Sequence, residues 1–254
     1  FKLVRESIKE RDIIHSIAPQ ITKPIPFIIP YNKKLRSKWL IKIGLMLYDY
    51  IGGKTSLPKS KTIDINKEYP QILNDEYLTG FQYFDLQVDD KKLTEININD
   101  AKKKGALVLE DTEVIKANRT QDKWEIELKN KKIFNAKILI NASGPWINKV
   151  INEVLKIPSK NSIRLVKGSH IIINKLHNYN VAFTLQNYDK RIVFVIPYKN
   201  KFSLIGTTEV EVDYPDNPKI ENHEIEYLIT CVNNYFQKKI SKSDIIDTYS
   251  GIRP

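Results

Sequence analysis

The sequence predicts a mixed α/β fold in two parts that divide near residue 157. In residues 1–157, helical and extended patterns alternate along the chain. Residues 158–254 contain short β-branched segments separated by turn residues, a pattern typical of an antiparallel sheet. A turn of small residues, 141–144, follows an apolar segment and precedes a helical pattern. These three observations indicate a ligand-binding α/β part, 1–157, followed by an antiparallel β part, 158–254.

The helical predictions depend on apolar periodicity and on the residues that end each helix. An apolar stripe predicts the first helix over residues 1–18, and prolines from Pro19 onward end it. Gly52 would close a second helix. A third would begin at Asp89 or Asp90 and end at Gly105. The predicted helices after the first are 35–52, 91–104, 146–155 and 221–237.

The strand predictions follow short runs of β-branched and aromatic residues. In the segment Trp124 to Leu128 the alternation of apolar and polar residues is clean, and with residues 113–117 it predicts a hairpin. The last predicted strand of the first part, 133–140, runs directly into the small-residue turn. The other predicted strands are 80–85, 106–109, 162–166, 169–173, 182–185, 192–197, 202–207 and 245–249.

Composition indicates a folded protein and excludes several functional classes. The 254 residues are enough to bury a sizeable core, and the formal charge of +11 favours acidic partners. The single Cys231 fits a reducing compartment, and no apolar run approaches the length of a membrane span. No P-loop, serine-hydrolase elbow, nucleic-acid-binding motif or metal-ligand spacing is present. Cations and apolar residues mix over residues 33–46, which is typical either of a membrane-surface helix or of a solvated helix face.

Three sites contain residues suited to chemistry. Gly144 permits a tight turn and Pro145 suits a first helical turn, an arrangement found both in ordinary turns and at pyrophosphate sites. His170 begins an apolar strand, where it serves either as a structural hydrogen-bonding group or as a general base. Arg253 is either a surface ion-pair partner or a phosphate ligand. The residues alone leave these alternatives open.

Motifs along nearly the whole chain resemble the FAD-dependent, respiratory glycerol-3-phosphate dehydrogenases. The segments that carry this resemblance are 1–6, 43–45, 48–49, 54–58, 88–90, Asn141-Ala142-Ser143-Gly144-Pro145-Trp146, Val166-Lys167-Gly168-Ser169-His170, 186–197, Gly206-Thr207-Thr208-Glu209 and Tyr249-Ser250-Gly251-Ile252-Arg253-Pro254.

The resemblance implies a fold like that of D-amino-acid oxidase, with part of a Rossmann-like FAD-binding domain and an antiparallel substrate domain. It implies oxidation of sn-glycerol 3-phosphate to dihydroxyacetone phosphate, with hydride transfer to FAD and electrons passed to quinone. His170 would assist proton removal, and Arg253 would bind the substrate phosphate. The implied cofactor-binding residues are Val114, Ala142, Ser143, Gly144, Trp146 and Thr207.

Departures from the family pattern qualify these expectations. The chain has no G-x-G-x-x-G motif, and it ends at Arg253-Pro254, where family members continue. We therefore expect the middle portion of a larger enzyme, with weak or no FAD binding by this chain alone. A glycerol-3-phosphate oxidase, an amino-acid oxidase of the wider superfamily and an inactive fragment are the alternative interpretations.

The resemblance also implies partners and a location for the parent enzyme. It implies peripheral contact with the cytoplasmic face of a bacterial inner membrane, or a cytoplasmic location, or the mitochondrial inner membrane in a eukaryote. A homodimer is expected for the full-length enzyme, with no nucleic-acid partner and no metal site.

Overall fold

The computed structural model describes residues 2–53, 55–158 and 163–254 of the chain. Phe1 and Lys54 of the family motifs, and Ser162 of a predicted strand, lie outside the described residues. The chain forms two compact units. Unit 1 contains the chain up to Asn97 together with Ser169–Thr208 and Lys219–Tyr249; unit 2 contains Ile98–Gly168, Glu209–Pro218 and Ser250–Pro254. These units do not coincide with the predicted domains 1–157 and 158–254, which remain a prediction about cofactor and substrate binding.

The observed helices agree closely with those predicted from the apolar periodicity of the sequence. They are α1 (Lys2–Ile17), α2 (Lys38–Ile51), α3 (Ile65–Glu68), α4 (Asp90–Lys103), α5 (Ile147–Lys149) and α6 (Asn222–Tyr235). α5 is the centre of an irregular helical segment that starts with the 3₁₀ turn Gly144–Trp146 and ends with the π turn Val150–Val154. Asp89 accepts a hydrogen bond from the Lys92 N–H, as the capping prediction requires. In the described part of the chain, no helix is long and apolar enough to cross a membrane.

A large mixed sheet dominates unit 1. Its strands are β1 (Thr22–Pro30), β2 (Lys61–Asp64), β3 (Thr79–Val88), β8 (Ala182–Gln186), β9 (Ile192–Tyr198) and β10 (Phe202–Gly206), with residues 169–174 of β7 (Leu165–Asn174). The order is β7-β10-β9-β8-β1-β3-β2, and β12 (Ile245–Arg253) also pairs with β7. The neighbours along this order are antiparallel except β1 with β8, which are parallel and pair in the described residues at Phe27–Ala182 and Ile28–Phe183.

The core of unit 1 lies where α6 packs with this sheet. Leu228, Val232 and Phe236 are fully buried and form one cluster with the inward-facing residues of the central strands. The strand residues of that cluster are Ile28, Ile63, Ile171, Ile173, Phe183, Leu185, Val193, Val195 and Ile205. Burying a side chain of this size stabilises the fold by roughly 1.5–3 kcal/mol. This packing fixes the positions of β7 and β10, and so it supports side chains at the ends of these two strands.

Unit 2 contains a small meander and the helical segment. β4 (Val114–Arg119), β5 (Trp124–Leu128) and β6 (Ile133–Ala136) form a three-stranded antiparallel sheet in that order, which confirms the predicted hairpin. β11 (Val210–Val212) pairs with residues 165–167 of β7.

Three predictions about strands are wrong, and three observed strands, β1, β2 and β11, have no counterpart among the predictions. Residues 106–109 and 137–140 form no strand, because no described strand pairs with them, and Ile138 and Ile140 are about four-fifths exposed (76% and 81%). The predicted strands 162–166 and 169–173 are one strand, β7, in the described residues. β1 has no counterpart among the predictions, because its prolines were interpreted as helix breakers.

Candidate active site

His170 lies between a glycine and an aromatic ring in unit 1. It stands opposite Gly206 in the β7–β10 pairing, and its half-buried imidazole stacks on Tyr249 with ring centroids 4.6 Å apart and an interplanar angle of 10°. A Cβ added to Gly206 would lie 2.1 Å from His170 Cδ2. Real Cβ atoms do not approach other atoms so closely, and therefore the absence of a side chain at residue 206 leaves the room that the ring occupies.

The surroundings of His170 favour its neutral form. Burial lowers the pKa of the imidazole below its ordinary value of 6.5. Tyr249, the titratable group stacked on the ring, has a pKa raised by burial and is uncharged at neutral pH. The buried Nδ1 of His170 has no hydrogen-bond partner among the described residues. A neutral imidazole with an unpartnered nitrogen can accept a proton or bind a ligand.

Thr207 and Thr208 follow Gly206 immediately and differ in their surroundings. The half-buried Thr207 donates its hydroxyl hydrogen to the Thr208 carbonyl at 3.0 Å. Thr208 is buried, and its hydroxyl donates to the Glu224 carboxyl at 2.6 Å. The structure thus places the predicted cofactor-binding Thr207 next in sequence to the glycine that faces His170.

The small-residue turn of unit 2 is ordered by its first residue. Asn141 Oδ1 accepts hydrogen bonds from the Ser143 N–H at 3.3 Å and the Ser143 hydroxyl at 2.7 Å. Gly144 has φ +55° and nothing within 4 Å of the position of a Cβ. Ala142 and Gly144 are both exposed. The turn therefore presents open backbone at the start of the helical segment, as the sequence predicts.

Trp146 and Val114, the other predicted cofactor-binding residues of unit 2, are both partly exposed. The Trp146 indole N–H donates to Asp216 at 2.9 Å, which anchors the helical segment. Val114 is the first residue of β4, opposite Leu128, and the pairing is irregular directly after it. Their roles toward a cofactor remain predictions.

Arg253 is exposed at the end of β12 and forms an ion pair with Glu209 in unit 2. This is the surface ion pair that the sequence left open as one alternative. Exposed pairs of this kind contribute only about 0–1 kcal/mol to stability, and the guanidinium can exchange its partner for a phosphate at little cost. An anion that binds Arg253 would therefore displace Glu209 from the guanidinium.

The structure brings together some of the predicted site residues. His170 and Thr207 both belong to unit 1, where Thr207 follows the residue opposite His170. The other predicted site residues belong to unit 2: Val114, Ala142, Ser143, Gly144, Trp146 and Arg253. Sequence reasoning assigned no role to Tyr249, although it opens a family-like motif. It also missed Glu224, which is buried although its residue type is usually exposed.

Solved structures with this fold define the class of protein. The glycerol-3-phosphate dehydrogenase from Bacillus halodurans complexed with FAD superposes with a TM-score of 0.76 at 23% identity, over 96% of this chain and 46% of that one. The L-α-glycerophosphate oxidase from Mycoplasma pneumoniae with FAD bound gives a TM-score of 0.74 at 14% identity, over 99% of this chain and 68% of that one. The chain therefore has the mixed α/β fold of these FAD-bound proteins, as predicted.

The chain belongs to the FAD-dependent oxidoreductase family, whose model matches residues 1–254. The aerobic glycerol-3-phosphate dehydrogenase of Escherichia coli (strain K12) is 41% identical to it over 262 residues. The D-erythritol 1-phosphate dehydrogenase of Brucella abortus (strain 2308) is 39% identical over 262 residues. Both comparisons cover 100% of this chain and 52% of the relative, so the chain spans about half the length of these curated relatives. The resemblance noted in the sequence motifs is confirmed.

Proposed function

We propose that the full-length protein oxidises sn-glycerol 3-phosphate to dihydroxyacetone phosphate, with FAD as the cofactor. The observation that carries this proposal is the half-buried His170, held neutral between Gly206 and Tyr249 in a chain of the FAD-dependent oxidoreductase family. A relative at 41% identity is a glycerol-3-phosphate dehydrogenase, which supports this choice of substrate.

His170 acts as the general base in this proposal. Oxidation of the secondary alcohol at C2 removes a hydride from carbon and a proton from the hydroxyl group. Bound FAD supplies the acceptor for the hydride. The neutral His170 accepts the hydroxyl proton, and Tyr249 keeps the imidazole ring parallel to its own. Burial of the ring keeps the base unprotonated at neutral pH.

Two observations indicate that the residues present fit FAD. The turn at Gly144 has exposed backbone and open space where a side chain would be, and His170 Nδ1 lacks a partner among the described residues. In unit 2, the residues that would hold FAD are Ser143 and Gly144 by their backbone, with Ala142, Trp146 and Val114; in unit 1, Thr207 is the proposed cofactor-binding residue.

The experiment that tests this proposal uses the full-length protein reconstituted with FAD and freed of excess cofactor. Under anaerobic conditions, sn-glycerol 3-phosphate is expected to bleach the flavin absorption band, whereas glycine is not. Bleaching by glycine alone would replace the proposal with an amino-acid oxidase. A protein that retains no FAD would contradict the cofactor assignment.

A second candidate substrate is D-erythritol 1-phosphate. A relative at 39% identity is named as its dehydrogenase, nearly as similar as the glycerol-3-phosphate enzyme. Both substrates combine a secondary alcohol with a phosphate, so the same general base and cation serve either one. The ratio of kcat/KM for the two substrates in the same preparation decides between them.

The electron acceptor is proposed to be a membrane quinone, with oxygen as the alternative. Reoxidation of the bleached flavin by a soluble quinone analogue, much faster than by air-saturated buffer, is the expected result. Rapid reoxidation by oxygen with stoichiometric peroxide would indicate an oxidase instead.

Arg253→Ala is expected to raise KM for the phosphorylated substrate and to lower kcat/KM about 30- to 1,000-fold, because a charged partner of the phosphate is lost. Arg164→Ala is the matched control, since Arg164 is also an exposed arginine of unit 2 that pairs with a glutamate, Glu211. An unchanged KM in Arg253→Ala would exclude Arg253 from the phosphate site.

Peripheral contact with an anionic membrane surface is proposed for α2. Its exposed apolar residues recur at helical spacing: Trp39, Ile43, Met46, Leu47 and Tyr50 are 40–75% exposed. Five exposed cations lie among or just before them: Lys33, Lys34, Arg36, Lys38 and Lys42. An apolar face bordered by lysines is the chemistry that binds an anionic lipid surface without spanning it.

The double variant Trp39→Ser/Ile43→Ser is expected to weaken binding to vesicles containing anionic phospholipid by about 10-fold or more. The reason is that two apolar side chains are no longer transferred from water into the lipid surface on binding. Co-sedimentation with vesicles measures this. Tyr188→Ser, at an exposed aromatic of unit 1 that is outside α2, should bind like the parent protein. Equal binding by the double variant would argue against α2 as the contact.

We further propose the cytoplasmic face of a bacterial inner membrane as the location, and a homodimer as the assembly of the full-length protein. A bacterial membrane is chosen for this proposal because the relatives described above come from bacteria. Cell fractionation tests the location, and sedimentation equilibrium of the purified protein tests the dimer.

A further inference from the structure

Glu224 is a buried carboxyl group that the proposed mechanism does not use. It lies in the first turn of α6, and only 1% of its surface is exposed. A buried carboxylate costs several kcal/mol unless hydrogen bonds compensate for the lost water. The hydrogen-bond partners of the Glu224 carboxyl group therefore indicate its role.

One oxygen of Glu224 caps its own helix. Oε2 accepts a hydrogen bond from the Glu221 N–H at 2.8 Å, and the Glu221 side chain accepts in return from the Glu224 N–H. Such a pair of reciprocal hydrogen bonds also forms on an exposed helix end. Ser241 and Asp244 form the same arrangement in unit 1 while both are exposed. Helix capping alone therefore does not account for the burial of Glu224.

The other oxygen of Glu224 joins two strands. Oε1 accepts from the Ser169 hydroxyl at 2.9 Å and from the Thr208 hydroxyl at 2.6 Å, and both of these residues are buried. Ser169 and Thr208 are also bonded to each other: the Ser169 N–H donates to Thr208 Oγ1 at 3.0 Å, and the Thr208 N–H donates to the Ser169 carbonyl at 3.2 Å. One carboxyl oxygen thus holds both chain segments.

Ser169 and Thr208 are adjacent in sequence to residues of the candidate active site. The β7–β10 pairing ends at His170 and Gly206, Ser169 precedes His170, and Thr208 follows Thr207. The pairing of β7 resumes with β11 only at Lys167 and Val210. The bonds to Glu224 and between Ser169 and Thr208 therefore hold the backbone in the gap between the two ladders, next to the imidazole. Helix α6 then supports the site through the two hydroxyl hydrogen bonds that Glu224 Oε1 accepts.

We propose that Glu224 is a positioning residue, which holds His170 and Thr207 in their working geometry through Ser169 and Thr208. The inference rests on the proposed function, in which His170 is the general base. Glu224 itself touches neither substrate nor cofactor in this scheme.

The sharpest test changes Thr208 rather than Glu224, because removal of a buried carboxyl would endanger folding. Thr208→Val keeps the shape of the side chain but removes its hydroxyl, and Thr208→Ser keeps the hydroxyl. Glu221→Ala is the matched control, since it weakens the same helix cap and leaves the bonds to Oε1 in place. All variants are made in the full-length protein loaded with FAD.

Two readouts are needed. The first is the titration of the His170 ring by NMR with labelled histidine and without substrate; it does not depend on the identity of the reaction. The second is kcat and KM with sn-glycerol 3-phosphate. In Thr208→Val, we expect the His170 midpoint to rise toward its ordinary value, kcat to fall about 10- to 100-fold, and KM to change little. Thr208→Ser should restore both readouts.

The outcomes separate this inference from the proposed function. A folded Thr208→Val with an unchanged His170 midpoint and unchanged kcat would overturn the positioning role. Equal losses of kcat in Glu221→Ala would also overturn it, because the effect would then come from the helix cap. If the midpoint moves but the unaltered protein oxidises no polyol phosphate, the positioning role stands and the proposed function fails.

Discussion

Replacing His170 with asparagine in the full-length protein is expected to lower kcat about 10²- to 10⁴-fold, because the proton of the substrate hydroxyl loses its acceptor. The substrate phosphate is bound elsewhere in the proposed scheme, so KM should change much less. Steady-state kinetics with sn-glycerol 3-phosphate measures both constants. His223→Asn is the matched control, since His223 is exposed and belongs to the same unit.

The pH dependence of the unaltered protein follows from the same residue. Burial lowers the pKa of His170, so the protonated, inactive form accumulates only in acid. kcat/KM should therefore rise with pH through a midpoint below 6.5 and be level near neutrality. A midpoint above 6.5, or full activity of His170→Asn, would show that another group accepts the proton.

Gly206→Ala is expected to abolish most of the activity although the change adds one methyl group. The new Cβ would lie 2.1 Å from His170 Cδ2, and therefore the imidazole must leave its place against Tyr249. Misplacement of a catalytic group by about 1 Å costs on the order of 100-fold in rate, and we expect at least that loss in kcat. The strain should also lower stability by about 1–3 kcal/mol.

Gly44→Ala is the control for Gly206→Ala. Gly44 is exposed in α2 with nothing within 4 Å of its Cβ position, so alanine there should stabilise the helix by about 0.5–1 kcal/mol and leave kcat unchanged. Thermal denaturation and steady-state kinetics on both variants give the comparison. A Gly206→Ala protein with normal kcat would show that the imidazole has room to move without loss of function.

The sequence predicted the helices and the local hairpin well, because capping and periodicity are properties of neighbouring residues. Asp89 caps α4 and Gly52 ends α2 as expected. Strands depend on distant partners, and there the predictions were less accurate. Nothing local distinguishes residues 106–109, which stay unpaired in the described structure, from a true strand.

Site residues that belong to a sequence motif could be predicted. Residues that reach the site only through long-range contacts of the fold could not. His170 was identified from its motif, and the structure adds the neutral, half-buried ring. Its contact with Tyr249 joins residues 79 positions apart, and the hydrogen bond that the Ser169 hydroxyl donates to Glu224 spans 55 positions. No periodicity or composition indicates such pairs.

The prolines of β1 are expected to weaken the pairing between the two halves of the unit 1 sheet. Pro24, Pro26 and Pro30 are separated by even numbers of residues. In a strand, the backbone N–H groups of such residues point to the same edge, so the prolines remove hydrogen-bond donors from one edge only. β1 pairs with β3 over its full length but with β8 at only two positions, which indicates that this edge faces β8. Amide exchange should therefore distinguish a β7-β10-β9-β8 foldon, closed by α6, from a β1-β3-β2 foldon. The candidate base lies in the first, and it should stay protected while the second opens.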